Sequence, residues 1–474
     1  MTTDRPNVLL LLVDQMRTPR WFPRDARFPA YERLRREGLF FENSFVCANP
    51  CSPSRASIVT GLHYTQHGIH SNVAGPGSQG MPSLDPRLPT IGHAFQRAGW
   101  RTPYFGKWHL AAPQDVEGTG LGRYGFEGWE GPDYEGAPYQ GINEDGGFAD
   151  RAIAWLREHA HGGPWFLTCS FINPHDIMFY SRVPPPDDLP ARCEALPGNF
   201  ADDLSMKPRV HAQFQRFWGA IMGMTPEQPD AMWRRYGDYY LWLTEKVDAE
   251  IGRVLDALDA SGVADRTLTV FLSDHGEMAG AHKLQGKGPF VYHENVQVPL
   301  VFRWPGRIAA GVVTTALVHN VDLFPTLVDL AGAGAAPDHL PGRSLGPIVR
   351  GAHDAAVHDE VLLTWSMTMR RAGAVPGAAL AADLARSVRP APGEVRGMFD
   401  GRWKFARYFD ETLPEEEHEL YDLREDPYEL RNLAGDAGYG RVVREMRARL
   451  ASAEALEMGS IEVDGVGCVG PRSR

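Results

Sequence analysis

The chain has 474 residues, of which 43% are hydrophobic and 23% are charged. This length and composition exclude a generally disordered protein and predict one large domain with an appendage, or two to three domains. The formal net charge of −12 argues against nucleic acid as a partner, because phosphate backbones are bound by clusters of Lys and Arg that this sequence does not show.

The first apolar run, Val8 to Val13, is too short to span a membrane and is preceded by Asp4 and Arg5. It also lacks a small-residue cleavage site, so we interpret it as a first β-strand. The cysteines are sparse and odd in number: Cys47, Cys51, Cys169, Cys193 and Cys468. Such a set does not fit a disulfide framework, and we therefore expect a cytoplasmic location with no membrane partner.

Short apolar runs rich in Val, Leu and Phe alternate along the chain with stretches of helical periodicity. The clearest strands are predicted at residues 8–13, 165–172, 268–272 and 298–304. The clearest helices are predicted at residues 148–159, 231–259 and 321–330. Continuous apolar strands belong to a sheet that is covered on both faces, and their alternation with helices predicts an α/β fold with a mostly parallel sheet.

The pattern changes towards the C-terminus. Near residue 375 the sequence becomes rich in Ala, Gly and Pro, and the following stretch, Val395 to Phe409, contains Asp400-Gly401 as a hairpin turn. We predict a catalytic domain over residues 1–385 and a smaller C-terminal subdomain over residues 386–474.

Polar residues with ligand-type side chains follow three of the predicted strands. Asp14 and Gln15 follow the first strand, His175 follows the second, and Asp274 and His275 follow the third. Open parallel sheets bind ligands at the carboxyl ends of their strands, so these residues predict a site there. For Gln15 alone, a turn amide and a metal ligand remain equal alternatives.

The run CSPSRASIVTG, from Cys51 to Gly61, resembles the signature of the formylglycine-dependent (type I) sulfatases of the alkaline phosphatase superfamily. In that family a maturation enzyme oxidises the cysteine to an aldehyde, formylglycine, which is hydrated to a geminal diol. One diol oxygen attacks sulfur and the other later expels sulfate. Arg55 lies one helical turn after Cys51, so we expect its guanidinium to point back towards the nucleophile. The alternative is a structural cysteine at an ordinary helix start, with Pro53 in the first turn.

The resemblance extends to further residues. The segment GKWHL resembles the family segment whose Lys and His, here Lys107 and His109, hold the sulfate and the oxygens of the nucleophile. Lys287 resembles the lysine that binds the substrate in this family. Lys283 is a weaker candidate for the same role. His175 matches a family histidine that faces the scissile oxygen. The resemblance therefore implies catalytic roles for these residues, together with Cys51 and Arg55.

The resemblance also implies one divalent metal ion, held by Asp14, Gln15, Asp274, His275 and the side chain made from Cys51. The first metal motif of the family is commonly Asp-Asp, and Gln15 departs from it. Oxygen ligands favour Ca²⁺, which is our first choice, whereas fewer charges and a nitrogen ligand shift preference towards Mn²⁺; Mg²⁺ is a further alternative.

We predict an alkaline-phosphatase-like three-layer α/β sandwich whose C-terminal subdomain carries a short antiparallel sheet. The predicted function is hydrolysis of a small-molecule sulfate monoester, with a formylglycine-generating enzyme as a maturation partner. One alternative is a phosphonate monoester or phosphodiester hydrolase, which Asp14-Gln15 supports and Lys107-Trp108-His109 opposes. Another is a non-catalytic metal-dependent anion-binding protein. The sequence also leaves open whether the protein forms a homo-oligomer.

Overall fold

The computed structural model describes residues 5–73, 81–133, 136–182, 184–366, 393–410, 414–463 and 466–468. The strands are β1 (Asn7–Asp14), β2 (Leu39–Phe45), β3 (Ala48–Asn49), β4 (Tyr104–Gly106), β5 (Phe166–Pro174), β6 (Thr267–Ser273), β7 (Leu300–Arg303), β8 (Val312–His319), β9 (Val361–Ser366), β10 (Glu394–Phe399), β11 (Trp403–Phe409), β12 (Glu417–Asp422), β13 (Ile461–Val463) and β14 (Val466–Cys468). The α-helices are α1 (Pro29–Glu37), α2 (Cys51–Thr60), α3 (Tyr64–His67), α4 (Ile91–Arg97), α5 (Pro113–Val116), α6 (Gln140–His159), α7 (Arg209–Met222), α8 (Asp230–Ala260), α9 (His293–Val296), α10 (Leu323–Ala331), α11 (Gly346–Val349) and α12 (Gly440–Glu457).

The main sheet has seven strands in the order β4-β5-β1-β6-β7-β2-β8. Its pairs are parallel except that β7 runs antiparallel to both β6 and β2. All residues of β1, β5 and β6 are buried, as their continuous apolar runs predicted. Within β1, Val8, Leu10 and Leu12 belong to one hydrophobic cluster, whereas the alternating Leu9, Leu11 and Val13 belong to another. The sheet is therefore covered on both faces.

Helices supply the two outer layers. Helices α2, α4 and α10 contribute to the first cluster, and helices α1, α6 and α8 contribute to the second. This arrangement confirms the predicted three-layer α/β sandwich. Helix α6 begins at Gln140, eight residues before the predicted start. The prediction missed its first turns because they contain Gly146 and Gly147 and show little apolar periodicity. In the described part of the chain, no helix combines the length and the apolar character needed to cross a bilayer.

A second sheet of five strands, in the order β12-β11-β10-β9-β3, lies towards the C-terminus of the chain. Strands β9 to β12 pair antiparallel, and Gly401, with φ of 90°, lies in the predicted hairpin turn between β10 and β11. The two-residue strand β3 adds to this sheet immediately before α2. The predicted boundary between residues 385 and 386 lies outside the described residues, and the division into two domains stays a prediction.

Candidate active site

Cys51 is the first residue of α2 and is fully buried. Every residue of this helix is buried, and the helix ends at Gly61, whose left-handed φ of 69° favours glycine. Three polar groups surround the Cys51 sulfur: Lys287 Nζ lies 3.0 Å away, His275 Nε2 3.2 Å and Asp14 Oδ1 3.6 Å. The sequence motif therefore sits at the centre of a buried polar cluster rather than in an apolar core.

The sheet register brings the two predicted metal motifs together. Val13 pairs with Ser273, and Asp14 pairs with Pro174, so the residues that follow β1, β5 and β6 share one edge. Ligand atoms of Asp14, Cys51, Asp274 and His275 all lie within 4.8 Å of one another, and all four side chains are buried. These four residues offer two carboxylates, an imidazole and the nucleophile position to one cation.

Gln15 lies in the same cluster. Its Oε1 accepts a hydrogen bond from Lys287 Nζ at 2.7 Å, and its Nε2 donates to Glu277 Oε2 at 2.5 Å. Because Glu277 accepts the hydrogen bond of the amide NH₂ group, the amide oxygen of Gln15 faces Lys287. The structure thus places Gln15 inside the site, and its ligand role stays a prediction.

Arg55 binds the two carboxylates of the cluster. Its Nε donates to Asp274 Oδ2 at 2.7 Å, and its Nη2 lies 3.2 Å from Asp14 Oδ2. These ion pairs were not predicted, and the direction of the guanidinium towards the Cys51 side chain stays a prediction. Arg55 therefore fixes the geometry of the predicted metal ligands.

Lys107 reaches the site from the end of β4. Its Nζ lies 2.7 Å from Asp14 Oδ2, and its backbone N–H donates to Ser170 O at 2.9 Å. This close approach needs the preceding glycine, since a Cβ on Gly106 would lie 1.9 Å from Ser170 O. The competitor Lys283 lies outside the cluster, with its Nζ 5.1 Å from the centroid of the Phe200 ring.

The site carries an excess of positive charge. Among the described residues, Arg55, Lys107 and Lys287 form their ion pairs with two carboxylates, those of Asp14 and Asp274. Burial alone would raise the pKa of Asp14, but the positive charges of Lys107, Lys287 and Arg55 outweigh it and hold that pKa well below its ordinary value. A divalent cation would add to this excess, so the site suits an anionic substrate.

The second carboxylate and its neighbouring imidazole respond differently to burial. Burial and the charge of Asp14 raise the pKa of Asp274 to about 6, although His275 and Arg55 oppose the shift. Burial lowers the pKa of His275 to about 4, so this imidazole is neutral at pH 7. A neutral imidazole is the form that binds a metal ion, and a bound cation would favour the ionised form of Asp274.

His109 and His175 also lie at this edge of the sheet, and both are buried. Burial, together with the charge of Lys107, holds the pKa of each well below its ordinary value, so both imidazoles are neutral. The Nδ1 atom of each lacks a hydrogen-bond partner among the described residues. Each imidazole therefore has one ring nitrogen that the described side chains leave unsatisfied.

Two positioning residues were missed by the sequence reasoning. Glu277 holds Gln15, and Asp133 accepts hydrogen bonds from the backbone N–H of His109 at 2.8 and 3.1 Å. Glu277 follows Asp274 by three residues, which is the only signal that the sequence offers for it. Nothing in the sequence around Asp133 indicates its partner.

These features describe a metal-assisted hydrolase of anionic esters, built on the alkaline-phosphatase-like fold. Residues 6–333 match the family model described as Sulfatase, and the chain belongs to this family of enzymes. A choline-sulfatase of Rhizobium meliloti (strain 1021) is 29% identical over an alignment that is 507 positions long with its gaps and covers 96% of this chain and 89% of the relative.

Solved structures share the fold. A 2-O GAG sulfatase superposes with a TM-score of 0.74 at 24% identity and covers 94% of this chain and 91% of its own. The phosphonate monoester hydrolase of Agrobacterium radiobacter superposes with a TM-score of 0.71 at 24% identity, over 99% of this chain and all of its own length. These likenesses confirm the predicted alkaline-phosphatase-like architecture.

Proposed function

We propose that this enzyme hydrolyses a sulfate monoester to an alcohol and sulfate through a formylglycine made from Cys51. The observation that carries the proposal is the position of Cys51 at the start of α2, with its sulfur 3.0 Å from Lys287 Nζ and 3.2 Å from His275 Nε2. The sulfur marks where the oxygens of the converted side chain would lie. At that position the oxygens would lie next to the Lys287 ammonium and next to His275, one of the predicted metal ligands.

The donor set fits a divalent metal ion. Asp14 and Asp274 supply carboxylate oxygens, and the position of His275 Nδ1, 2.9 Å from Gly276 O, leaves its Nε2 facing Cys51. Gln15 offers an amide oxygen beside them. Oxygen donors favour Ca²⁺, the single imidazole keeps Mn²⁺ as an alternative, and Mg²⁺, which also prefers oxygen ligands, is a further one. When bound, the ion draws negative charge from the nonbridging sulfate oxygens.

The converted side chain supplies two hydroxyls on one carbon: one attacks sulfur as the bond to the alcohol oxygen breaks, and the other lets sulfate depart. Lys107 and Lys287 stabilise charge on the sulfate oxygens, and Arg55 keeps Asp14 and Asp274 in place. Lys287 gives a proton to the leaving alcohol and takes up the proton of the attacking hydroxyl, whereas His175, whose imidazole is neutral, donates only a hydrogen bond to the alcohol oxygen.

His109 is our proposed base for the departure of sulfate. Its neutral imidazole accepts the proton of the second hydroxyl, and its backbone is held by Asp133. Addition of water then restores the diol, so one water is consumed for each ester cleaved.

Parallel assays test the reaction class. We expect kcat/KM for an aryl sulfate to exceed that for a phenyl phosphonate monoester, and Cys51→Ala to abolish both activities. A preference for the phosphonate would replace the sulfatase proposal with the second candidate, which the Asp14-Gln15 pair favours. The absence of hydrolysis of either ester by converted protein would contradict both.

The alcohol part of the substrate and the cellular setting are proposals of the same kind. A screen of choline sulfate, sulfated sugars and aryl sulfates addresses the first, since the choline-sulfatase relative aligns over 96% of this chain. We also propose a cytoplasmic location and a formylglycine-generating partner. In support, the thiols of Cys47, Cys51, Cys169 and Cys193 are all free.

A further inference from the structure

A second set of side chains that could bind a metal lies near the C-terminal end of α2, the helix that begins with Cys51. This set shares no residue with the active site. His63 comes shortly after the end of α2, His319 is the last residue of β8, and Glu457 is the last residue of α12. Ligand atoms of these three residues lie within 4.8 Å of one another, and all three side chains are buried. Three distant segments of the chain thus converge on one point.

The separations within this set are compatible with coordination of one ion. His63 Nε2 lies 3.3 Å from Glu457 Oε2, and His319 Nε2 lies 4.0 Å from the same oxygen. A tetrahedral zinc ion with bonds of about 2.0 to 2.2 Å holds its nitrogen and oxygen ligands about 3.3 to 3.5 Å apart. Small side-chain shifts would bring these atoms to that geometry.

The same atoms are paired with one another. Within the described ranges, both ring nitrogens of His63 and of His319, and Oε2 of Glu457, make no hydrogen bond outside the cluster: His63 interacts with Cys47 and Glu457, and His319 interacts with Cys47. Two imidazoles, a carboxylate and a thiol thus meet at one buried point and are held together only by the protons they share. A cation that displaces these protons would satisfy all four groups together.

Neighbouring residues supply the rest of a zinc site. The Cys47 thiol neighbours both imidazoles and offers a soft fourth ligand. Asp322 Oδ1 lies 3.7 Å from His319 Nε2, and His358 Nε2 lies 2.9 Å from the same carboxylate oxygen. Asp322 thus faces the same His319 nitrogen as Glu457, so its carboxylate is a further oxygen donor at the edge of the cluster.

We propose that His63, His319, Glu457 and Cys47 bind a structural divalent transition metal, with zinc as the ion that the mixed nitrogen, oxygen and sulfur donors favour. The ion joins α12 to the end of the helix whose first residue is Cys51. It therefore ties the C-terminal part of the chain to the nucleophile helix. This inference does not depend on the proposed reaction.

Metal analysis of the purified protein tests the site. After dialysis against a weak chelator, we expect one equivalent of zinc in the wild type and in the active-site variant Asp274→Asn, but none in Glu457→Gln. The matched control is Glu454→Gln, on the same helix, whose carboxylate pairs with Arg396 and Arg407 instead. This control is expected to keep the zinc.

Cobalt substitution supplies a second readout that does not depend on how well the glutamine variant folds. We expect Co²⁺-loaded wild type to show tetrahedral d–d bands and a thiolate charge-transfer band, and Cys47→Ser to lose the latter. Wild type that binds neither zinc nor cobalt here would overturn the proposal and leave an ion-paired histidine–glutamate network. Retention of zinc by Glu457→Gln would overturn it as well.

Discussion

Lys287 Nζ lies 3.0 Å from the sulfur of Cys51 and 2.7 Å from the side-chain oxygen of Gln15. One ammonium group thus joins the predicted nucleophile to the amide that follows Asp14. The same nitrogen is 3.8 Å from Asp14 Oδ1, so it also reaches the predicted metal ligands. Because charge develops at this point when an anionic ester is attacked, Lys287 is placed to stabilise it.

Removal of this ammonium is expected to lower kcat/KM for sulfate esters by about 10²- to 10³-fold, the usual cost of losing one preorganised donor. Steady-state kinetics of Lys287→Ala measure the effect. Lys283→Ala is the matched control, because its Nζ lies over the Phe200 ring, and it should change kcat/KM by less than about twofold. Equal losses in the two variants would count against the assignment.

Glu277→Gln tests how Gln15 is oriented. The new amide no longer requires Gln15 to present its NH₂ group, so the Gln15 oxygen loses its fixed direction. We expect metal affinity, read from the metal dependence of activity, to fall about 10- to 100-fold. Tyr236→Phe removes only a hydrogen bond to the other Glu277 oxygen and should cost much less. An unchanged metal dependence in Glu277→Gln would remove Glu277 from the account.

Gly136→Ala tests the placement of His175. A Cβ at residue 136 would lie 2.3 Å from His175 Cε1, so the imidazole must move. We expect kcat to fall about 10²-fold, as for a misplacement of about 1 Å. Gly118→Ala is the control, because its φ of 72° carries similar backbone strain and nothing lies within 4 Å of its Cβ. It should lose about 1 kcal/mol of stability and keep its kcat.

Glu429→Gln addresses stability and its pH dependence. Burial raises the pKa of Glu429, but Lys404, whose Nζ lies 2.6 Å from the carboxylate, outweighs burial and holds that pKa well below its ordinary value. The variant leaves the Lys404 ammonium buried without its carboxylate, so we expect the free energy of unfolding at pH 7 to fall by about 3 to 5 kcal/mol.

The sign of the pH effect follows from the lowered pKa. The stabilisation by Glu429 is fully present above its unfolded-state pKa of about 4.3 and is lost as pH falls from there towards the lower folded-state value. Urea unfolding at pH 7 and at pH 4 should therefore show a smaller difference between wild type and Glu429→Gln at the lower pH. A difference that grows at pH 4 would contradict this reasoning.

The sequence predicted the parts of the site that depend on local pattern. Asp14 and Asp274 were found because each follows a strand whose apolar run is plain, and parallel neighbours place such residues at one edge. The ion pairs of Arg55 with Asp14 and Asp274 could not be predicted from helical spacing, because these carboxylates come from other elements. Contacts between distant segments leave no local pattern, which is why the role of Asp133 was missed.

The same limit applies to the fold. The four main strands and three main helices were predicted from their periodicity, but the antiparallel direction of β7 and the two-residue strand β3 were not. Both are set by pairing with partners far along the chain. The cluster of His63, His319 and Glu457 was missed for this reason, since three segments far apart in sequence build it.

The most direct test of the account is the mass of the peptide that carries residue 51, measured on active enzyme produced together with a formylglycine-generating enzyme. We predict a species lighter than the cysteine peptide that reacts with hydrazides, in a fraction that rises in proportion to sulfatase activity across preparations. A fully active preparation in which residue 51 is an unmodified cysteine throughout would contradict the central claim.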